Sequence, residues 1–199
     1  MNLANKLTVF RIILVIVLMM VPFLNLQGDL WGISISLIVM DIIFIIASIT
    51  DKLDGYIARS RNQITTFGKF LDPIADKILV IVAMVILVDI GKIPFWIPAI
   101  AIIREFVVSG YRLVAVQKSG EVIAASIWGK IKTATQMVGL SLVFIDKSSF
   151  GAFLSGGLSG LELVFNVIVT ALLSISVIAT VFSGWDYLKG SAKLFKGDM

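Results

Sequence analysis

No cysteine and no histidine occur in this chain of 199 residues. Their absence removes disulfides, thiol nucleophiles, Ser-His-Asp arrangements and the usual zinc ligands. Any metal must then be a hard cation held through oxygen, namely Mg2+, Mn2+ or Ca2+, and acid–base work falls to carboxylates. Charge is scarce too. Asp, Glu, Lys and Arg make up 15% of the residues against 58% hydrophobic ones, with a mean hydropathy of +1.02. Soluble domains seldom reach such values. No internal repeat, heptad array or low-complexity tract is visible.

What is present is a series of long apolar runs. A membrane span takes about 20 apolar residues, and six segments qualify, roughly 8–26, 31–57, 70–90, 93–117, 127–145 and 161–188. The sequence predicts an all-α integral membrane bundle of six transmembrane helices, one domain over residues 1–199. The first run is followed by Val21-Pro22-Phe23-Leu24 in place of a small-residue cleavage site, so it reads as the first span and not as a signal sequence. With the N-terminus inside, fifteen of the 17 Lys and Arg residues fall on one face, leaving Lys92 and Lys147 on the other. That bias places both termini in the cytoplasm. The net charge of +4 is thus a topology signal and carries no nucleic-acid footprint.

Four aspartates break the apolar pattern. They lie in Asp51-Lys52-Leu53-Asp54-Gly55-Tyr56-Ile57-Ala58-Arg59 and in Gly68-Lys69-Phe70-Leu71-Asp72-Pro73-Ile74-Ala75-Asp76. Ionisable groups in such segments are costly. Asp51 and Asp54 are three apart and Asp72 and Asp76 four apart, so each pair shares a helix face. Two antiparallel spans joined by a short loop would bring the pairs together as an oxygen-only cage for two cations. Gly55 removes a side chain where a ligand would approach the backbone, and Arg59 is placed for charge-assisted bonding to phosphate. Pairing with Lys52, Arg59, Lys69 and Lys77 would explain one aspartate, but not four at this spacing.

This stretch resembles the signature of the CDP-alcohol phosphotransferases, D-x-x-D-G-x-x-A-R-x8-G-x-x-x-D-x-x-x-D, and every specified position is present. The resemblance implies transfer of a phosphatidyl group from CDP-diacylglycerol, or of a head group from a CDP-alcohol, to an alcohol with release of CMP. It further implies that Asp51, Asp54, Asp72 and Asp76 hold two Mg2+ or Mn2+ ions, with Asp76 also the general base. Gly55, Arg59 and Thr65 would contact the CDP moiety. A homodimer in the cell membrane, with its active site facing the cytoplasm, is implied as well.

The acceptor must be read from other residues. Arg104 and Arg112 are eight apart, two helical turns, and so roughly on one face; Lys130 and Lys132 open the fifth span. Four cations converging near the metal site would suit an acceptor carrying its own phosphate dianion, although topology alone would also put basic residues there. These segments, together with Asn5-Lys6-Leu7-Thr8-Val9-Phe10-Arg11 at the start of the chain, resemble the family members that make phosphatidylglycerol phosphate. That likeness implies glycerol 3-phosphate as acceptor, Arg104, Arg112, Lys130 and Lys132 as its phosphate ligands, and Asn5 and Thr8 framing the nucleotide pocket. A cardiolipin synthase or an inositol-phosphate-accepting relative would differ only in the acceptor. A divalent-cation transporter is disfavoured because the carboxylates cluster at one face and no inverted repeat appears. A membrane prenyltransferase would lack the Gly-x-x-Ala-Arg step. Asp41, inside the second span, reads as a residue near an interfacial pocket, and the Gly- and Ser-rich stretch from Asp146 to Gly160 as a flexible loop.

Overall fold

The computed structural model describes the backbone over residues 3–60, 66–119 and 126–195, and the side chains over residues 5–50, 74–112, 115 and 126–189. Within these residues lie six α-helices: α1 (Leu3–Met20), α2 (Ile35–Ser60), α3 (Thr66–Asp89), α4 (Trp96–Ser119), α5 (Ile127–Ile145) and α6 (Gly160–Phe195). Two short 3-10 turns, Val21–Leu24 and Ala152–Ser155, and a minimal antiparallel hairpin pairing Asp29–Leu30 with Ile33–Ser34 complete the described elements.

The helices meet the six predicted apolar runs one for one. The fifth coincides with its run, because Ser126 caps it: its hydroxyl accepts a hydrogen bond from the Gly129 N–H at 3.2 Å, meeting one of the donors a helix start leaves bare. α1 starts ahead of its run. The buried positions Asn5, Thr8, Arg11, Val15, Leu18 and Val21 recur every three or four residues, the period of one helix face, so the polar start continues the inward stripe. That stripe packs on α2 and α3.

The core runs through the middle of the bundle, with Val15, Leu18, Phe44, Leu79, Ala83, Leu87, Leu140, Phe144 and Leu173 buried together. Phe44 and Phe144 join α2 to α5 with ring centroids 6.0 Å apart. At Gly139 a Cβ would come within 3.1 Å of Leu173 Cδ2, so the glycine sets how closely α5 and α6 approach. Outside this core, large apolar residues such as Ile16, Ile42, Ile49, Val164 and Ile178 stand exposed, while Thr8, Arg11, Asn166 and Ser183 are almost wholly buried. Exposed apolar and enclosed polar groups are the distribution of a membrane protein. Among the described residues, two helical segments, Asn5–Leu24 and Gly160–Lys189, are by length and composition apolar enough to cross a bilayer. Of the other helices, α3, α4 and α5 carry ionisable groups that line the cavity described below.

One end of the bundle is closed by a polar network. Asp146, at the end of α5, accepts from the Ser148 N–H at 3.0 Å and from Asn166 Nδ2 at 2.8 Å. Asn166, fully buried on α6, also donates to the Ser149 carbonyl and accepts from the Phe153 N–H, both at 3.0 Å. Lys92, between α3 and α4, donates to the Asp146 carbonyl at 2.5 Å. Burial pushes the Lys92 pKa down, and the nearby Asp146 carboxylate draws part of it back. The stretch expected to be a flexible loop is thus pinned by hydrogen bonds to α6. Its Gly and Ser content reflects tight turns, with Gly151 and Gly156 both at positive φ.

Candidate active site

At the opposite end, α3, α4 and α5 enclose a cavity of about 280 Å3. From α3 it takes Asp76, Lys77 and Val80; from α4, Ala101, Arg104, Glu105 and Arg112; from α5, Gly129, Lys132, Thr133 and Gln136. The spacings along each helix are three, four or seven residues, with few exceptions, so each helix turns one face inward. The result is a polar chamber walled by Met84, Met137 and Ala101.

Its charges are closely tied. Glu105 Oε1 accepts from Lys132 Nζ at 2.5 Å and from Arg104 Nη1 at 2.8 Å. Lys77 Nζ lies 3.9 Å from Glu105 Oε2 and donates to Ser109 Oγ at 2.5 Å. From α6, Ser183 Oγ accepts from Arg104 Nη2 at 2.5 Å, and the Tyr187 hydroxyl accepts from Arg112 Nη2 at 2.6 Å. The Arg112 guanidinium also lies 5.3 Å from the Tyr187 ring centroid, a favourable stacking of cation on aromatic face. Gly129 borders this arrangement: a Cβ there would stand in ordinary van der Waals contact, 3.4 Å from Arg104 Nη2 and 3.6 Å from Ser183 Oγ.

The four aspartates occupy the helix ends on this side. α2 is helical through Ser60, so Asp51 and Asp54 share a face of its last turns, with Gly55 and Arg59 following. α3 starts at Thr66 and carries Gly68, Asp72 and Asp76 along one stripe, and it packs on α2. The side chains of Asp51, Asp54, Gly55, Arg59 and Asp72 lie outside the described residues, as does Thr65 entirely. Asp76 is half-buried on the cavity wall. Asn5 and Thr8 are buried on the inward face of α1, followed by the fully buried Arg11.

Among the residues read as phosphate ligands, Arg104, Arg112 and Lys132 meet in the cavity. Lys130 does not join them. It is exposed and borders a separate apolar groove between α2 and α5, beside Ile45, Ile49, Ala134 and Val138. Residues two apart on a helix point to nearly opposite sides. Sequence reasoning missed Glu105 as the hub of the cluster, and Ser183 and Tyr187 as its backing. Glu105 could have been noticed as an acid deep in an apolar run, but the two α6 residues carry no signal in the sequence.

A family model described as CDP-alcohol phosphatidyltransferase matches residues 1–183. The chain belongs to this family. A Bacillus subtilis (strain 168) protein named CDP-diacylglycerol–glycerol-3-phosphate 3-phosphatidyltransferase is 40% identical over 98% of this chain and 97% of its own length. A Haemophilus influenzae protein of the same name is 41% identical over 70% of this chain and 73% of its own. A Mycobacterium tuberculosis protein named as a probable phosphatidylglycerophosphate synthase is 34% identical over 94% of this chain and 80% of its own.

CDP-alcohol phosphatidyltransferases use divalent metal ions, and the donors here suit them. The helical spacing gives two carboxylate pairs on adjoining helices, all oxygen, as hard cations require. Asp76, the last aspartate of the motif, also lines the cationic cavity.

Proposed function

We propose that this protein transfers the phosphatidyl group of CDP-diacylglycerol to sn-glycerol 3-phosphate, giving phosphatidylglycerol phosphate and CMP. The observation that carries the reading is the cavity beside Asp76, where four cations, Lys77, Arg104, Arg112 and Lys132, face two carboxylates, Asp76 and Glu105. The cationic excess suits an acceptor that is itself a phosphate monoester. Choline, ethanolamine or inositol would leave it unused. The names of the relatives support the same acceptor.

In this reading Asp51, Asp54, Asp72 and Asp76 hold two Mg2+ or Mn2+ ions, which when bound supply charge stabilisation along the pyrophosphate. Gly55, Arg59 and Thr65 seat the CDP portion, framed by Asn5 and Thr8. Arg104, Arg112 and Lys132 hold the acceptor phosphate and so aim its free hydroxyl at Asp76. Asp76 removes the hydroxyl proton. The oxygen then forms a bond to the phosphorus that carries diacylglycerol, and the bond from that phosphorus to the CMP oxygen breaks, its electron pair leaving with CMP. Six spans with cytoplasmic termini would set the chamber at the cytoplasmic surface, where a soluble acceptor meets a lipid donor. The enzyme would act as a homodimer.

The test is CMP release by purified protein in detergent with CDP-diacylglycerol and Mg2+, with and without glycerol 3-phosphate. Release that depends on glycerol 3-phosphate is expected. Release only with phosphatidylglycerol or inositol phosphate would overturn the acceptor, and none with any alcohol would overturn the reaction.

A further inference from the structure

Glu105 has no task in the transfer just described, yet one of its oxygens binds cations from two helices and the other approaches a third. Oε1 accepts from Lys132 Nζ of α5 at 2.5 Å and from Arg104 Nη1 of α4 at 2.8 Å, and Oε2 lies 3.9 Å from Lys77 Nζ of α3. The Glu105 side chain is 17% exposed, that of Lys132 10% and that of Arg104 12%. Attraction and repulsion are both strong in so enclosed a place. Without a carboxylate between them, Lys77, Arg104 and Lys132 would repel one another and turn away from the chamber.

We propose that Glu105 is the positioning residue of the acceptor site, holding Lys132 and Arg104 pointed into the cavity so that an incoming phosphate monoester finds its ligands already in place. The inference rests on the reading of the cavity as the acceptor site. Glu105 does not touch the reacting atoms in this account; it acts through Lys132 and Arg104. A phosphate entering the chamber meets two guanidinium groups and an ammonium in fixed directions, and less ordering is left to be done on binding. A purely structural ion pair, by contrast, would hold α4 to α5 without regard to which substrate binds.

The two roles separate in steady-state CMP release with CDP-diacylglycerol, Mg2+ and varied glycerol 3-phosphate. Glu105→Gln is expected to raise the KM for glycerol 3-phosphate about tenfold or more and to leave that for CDP-diacylglycerol within about twofold. In a Lys132→Gln background the same change should add clearly less than it does alone, because the part of its effect that runs through Lys132 is already lost and only the part through Arg104 remains. Equal rises in both KM values, or effects of Glu105→Gln and Lys132→Gln that multiply, would overturn the proposal. If Glu105→Gln does not fold, Glu105→Asp carries the test. It keeps the charge but draws it back by one methylene, so the acceptor KM should rise by about three- to tenfold with the donor KM unchanged, and no rise would overturn the proposal. Failure of the functional reading shows separately, as wild-type CMP release that does not depend on glycerol 3-phosphate.

Discussion

Replacing Asn166 by alanine tests whether the network at the end of the bundle away from the cavity holds the fold together. The side chain is fully buried and makes three hydrogen bonds: to Asp146 Oδ2 at 2.8 Å, to the Ser149 carbonyl at 3.0 Å, and from the Phe153 N–H at 3.0 Å. The first is charge-assisted, worth about 1.5–3 kcal/mol net, and the other two about 0.5–1.5 kcal/mol each. Asp146 is also buried and would lose one of its donors. The expected loss is therefore ~3–4 kcal/mol, allowing water to recover part of the bonding at a loop. For a chain of this size each kcal/mol moves the unfolding midpoint by about 2–4 °C, so a drop of roughly 6–16 °C is predicted. Thermal unfolding of the detergent-purified protein, followed by helical circular dichroism, measures it. Asn166→Asp should fall further, since it sets a second carboxylate against Asp146. Turnover per folded molecule at low temperature should stay near wild type, because the cavity is at the other end. A drop below about 2 °C would refute the hydrogen-bond reasoning. Loss of turnover in folded protein would refute the separation of the two ends.

At the cavity, Asp76→Asn should still bind nucleotide but lower CMP release by about 10²–10⁴-fold, the usual worth of a positioned general base; turnover within tenfold of wild type would remove Asp76 from that role. Lys132→Met should raise the KM for glycerol 3-phosphate about ten- to hundredfold, as expected for loss of a hydrogen bond to a charged group. Lys130→Met, facing the outer groove, should change it by less than about threefold. A larger effect for Lys130 would reverse that assignment. Arg112→Ala should raise the requirement for acceptor more than that for donor, and equal loss for both would argue against its contact with phosphate. Chelation by EDTA should abolish CMP release, with excess Mg2+ or Mn2+ restoring it; activity that persists in chelator would exclude the two-metal reading.

Much of the helical layout could be read from hydropathy, because apolar runs long enough to span a bilayer leave the chain few alternatives. α5 was legible to its first residue, since Ser126 both ends the polar stretch and caps the helix. α1 was not, because Asn5 and Lys6 break the apolar run although the helix continues through them. The aspartate motif was legible because its spacing matches the helical period, and α2 and α3 supply that period at the right positions. Lys130 and Lys132 show a different limit. Topology places both at a helix start, and the same helical period that pairs the aspartates should have set the two lysines apart. Glu105 stands out as an acid in an apolar run, but its task, like those of Ser183 and Tyr187, was hidden for a deeper reason. Their roles come from contacts across 27 to 79 positions in the chain, and a local pattern holds no record of such contacts.

The two ends of the bundle answer different physical demands. Around Asp146 and Asn166, donors and acceptors are matched, and the group least at ease, Lys92, still reaches a carbonyl. Around Glu105 the matching is incomplete by design of charge: four cations crowd two carboxylates, and among the described residues Arg104 Nε is buried with no hydrogen-bond partner. Such an arrangement destabilises the resting protein, and it would do so without return unless something anionic completes it. A phosphate monoester carries the opposite charge, so the cationic excess of the chamber becomes affinity for one class of acceptor. The chamber can remain in this state because the strain is local. α4, α5 and α6 are joined through the apolar core, by Ala101, Leu140, Phe144 and Leu173 among others, so the cations cannot relieve their repulsion by parting the helices.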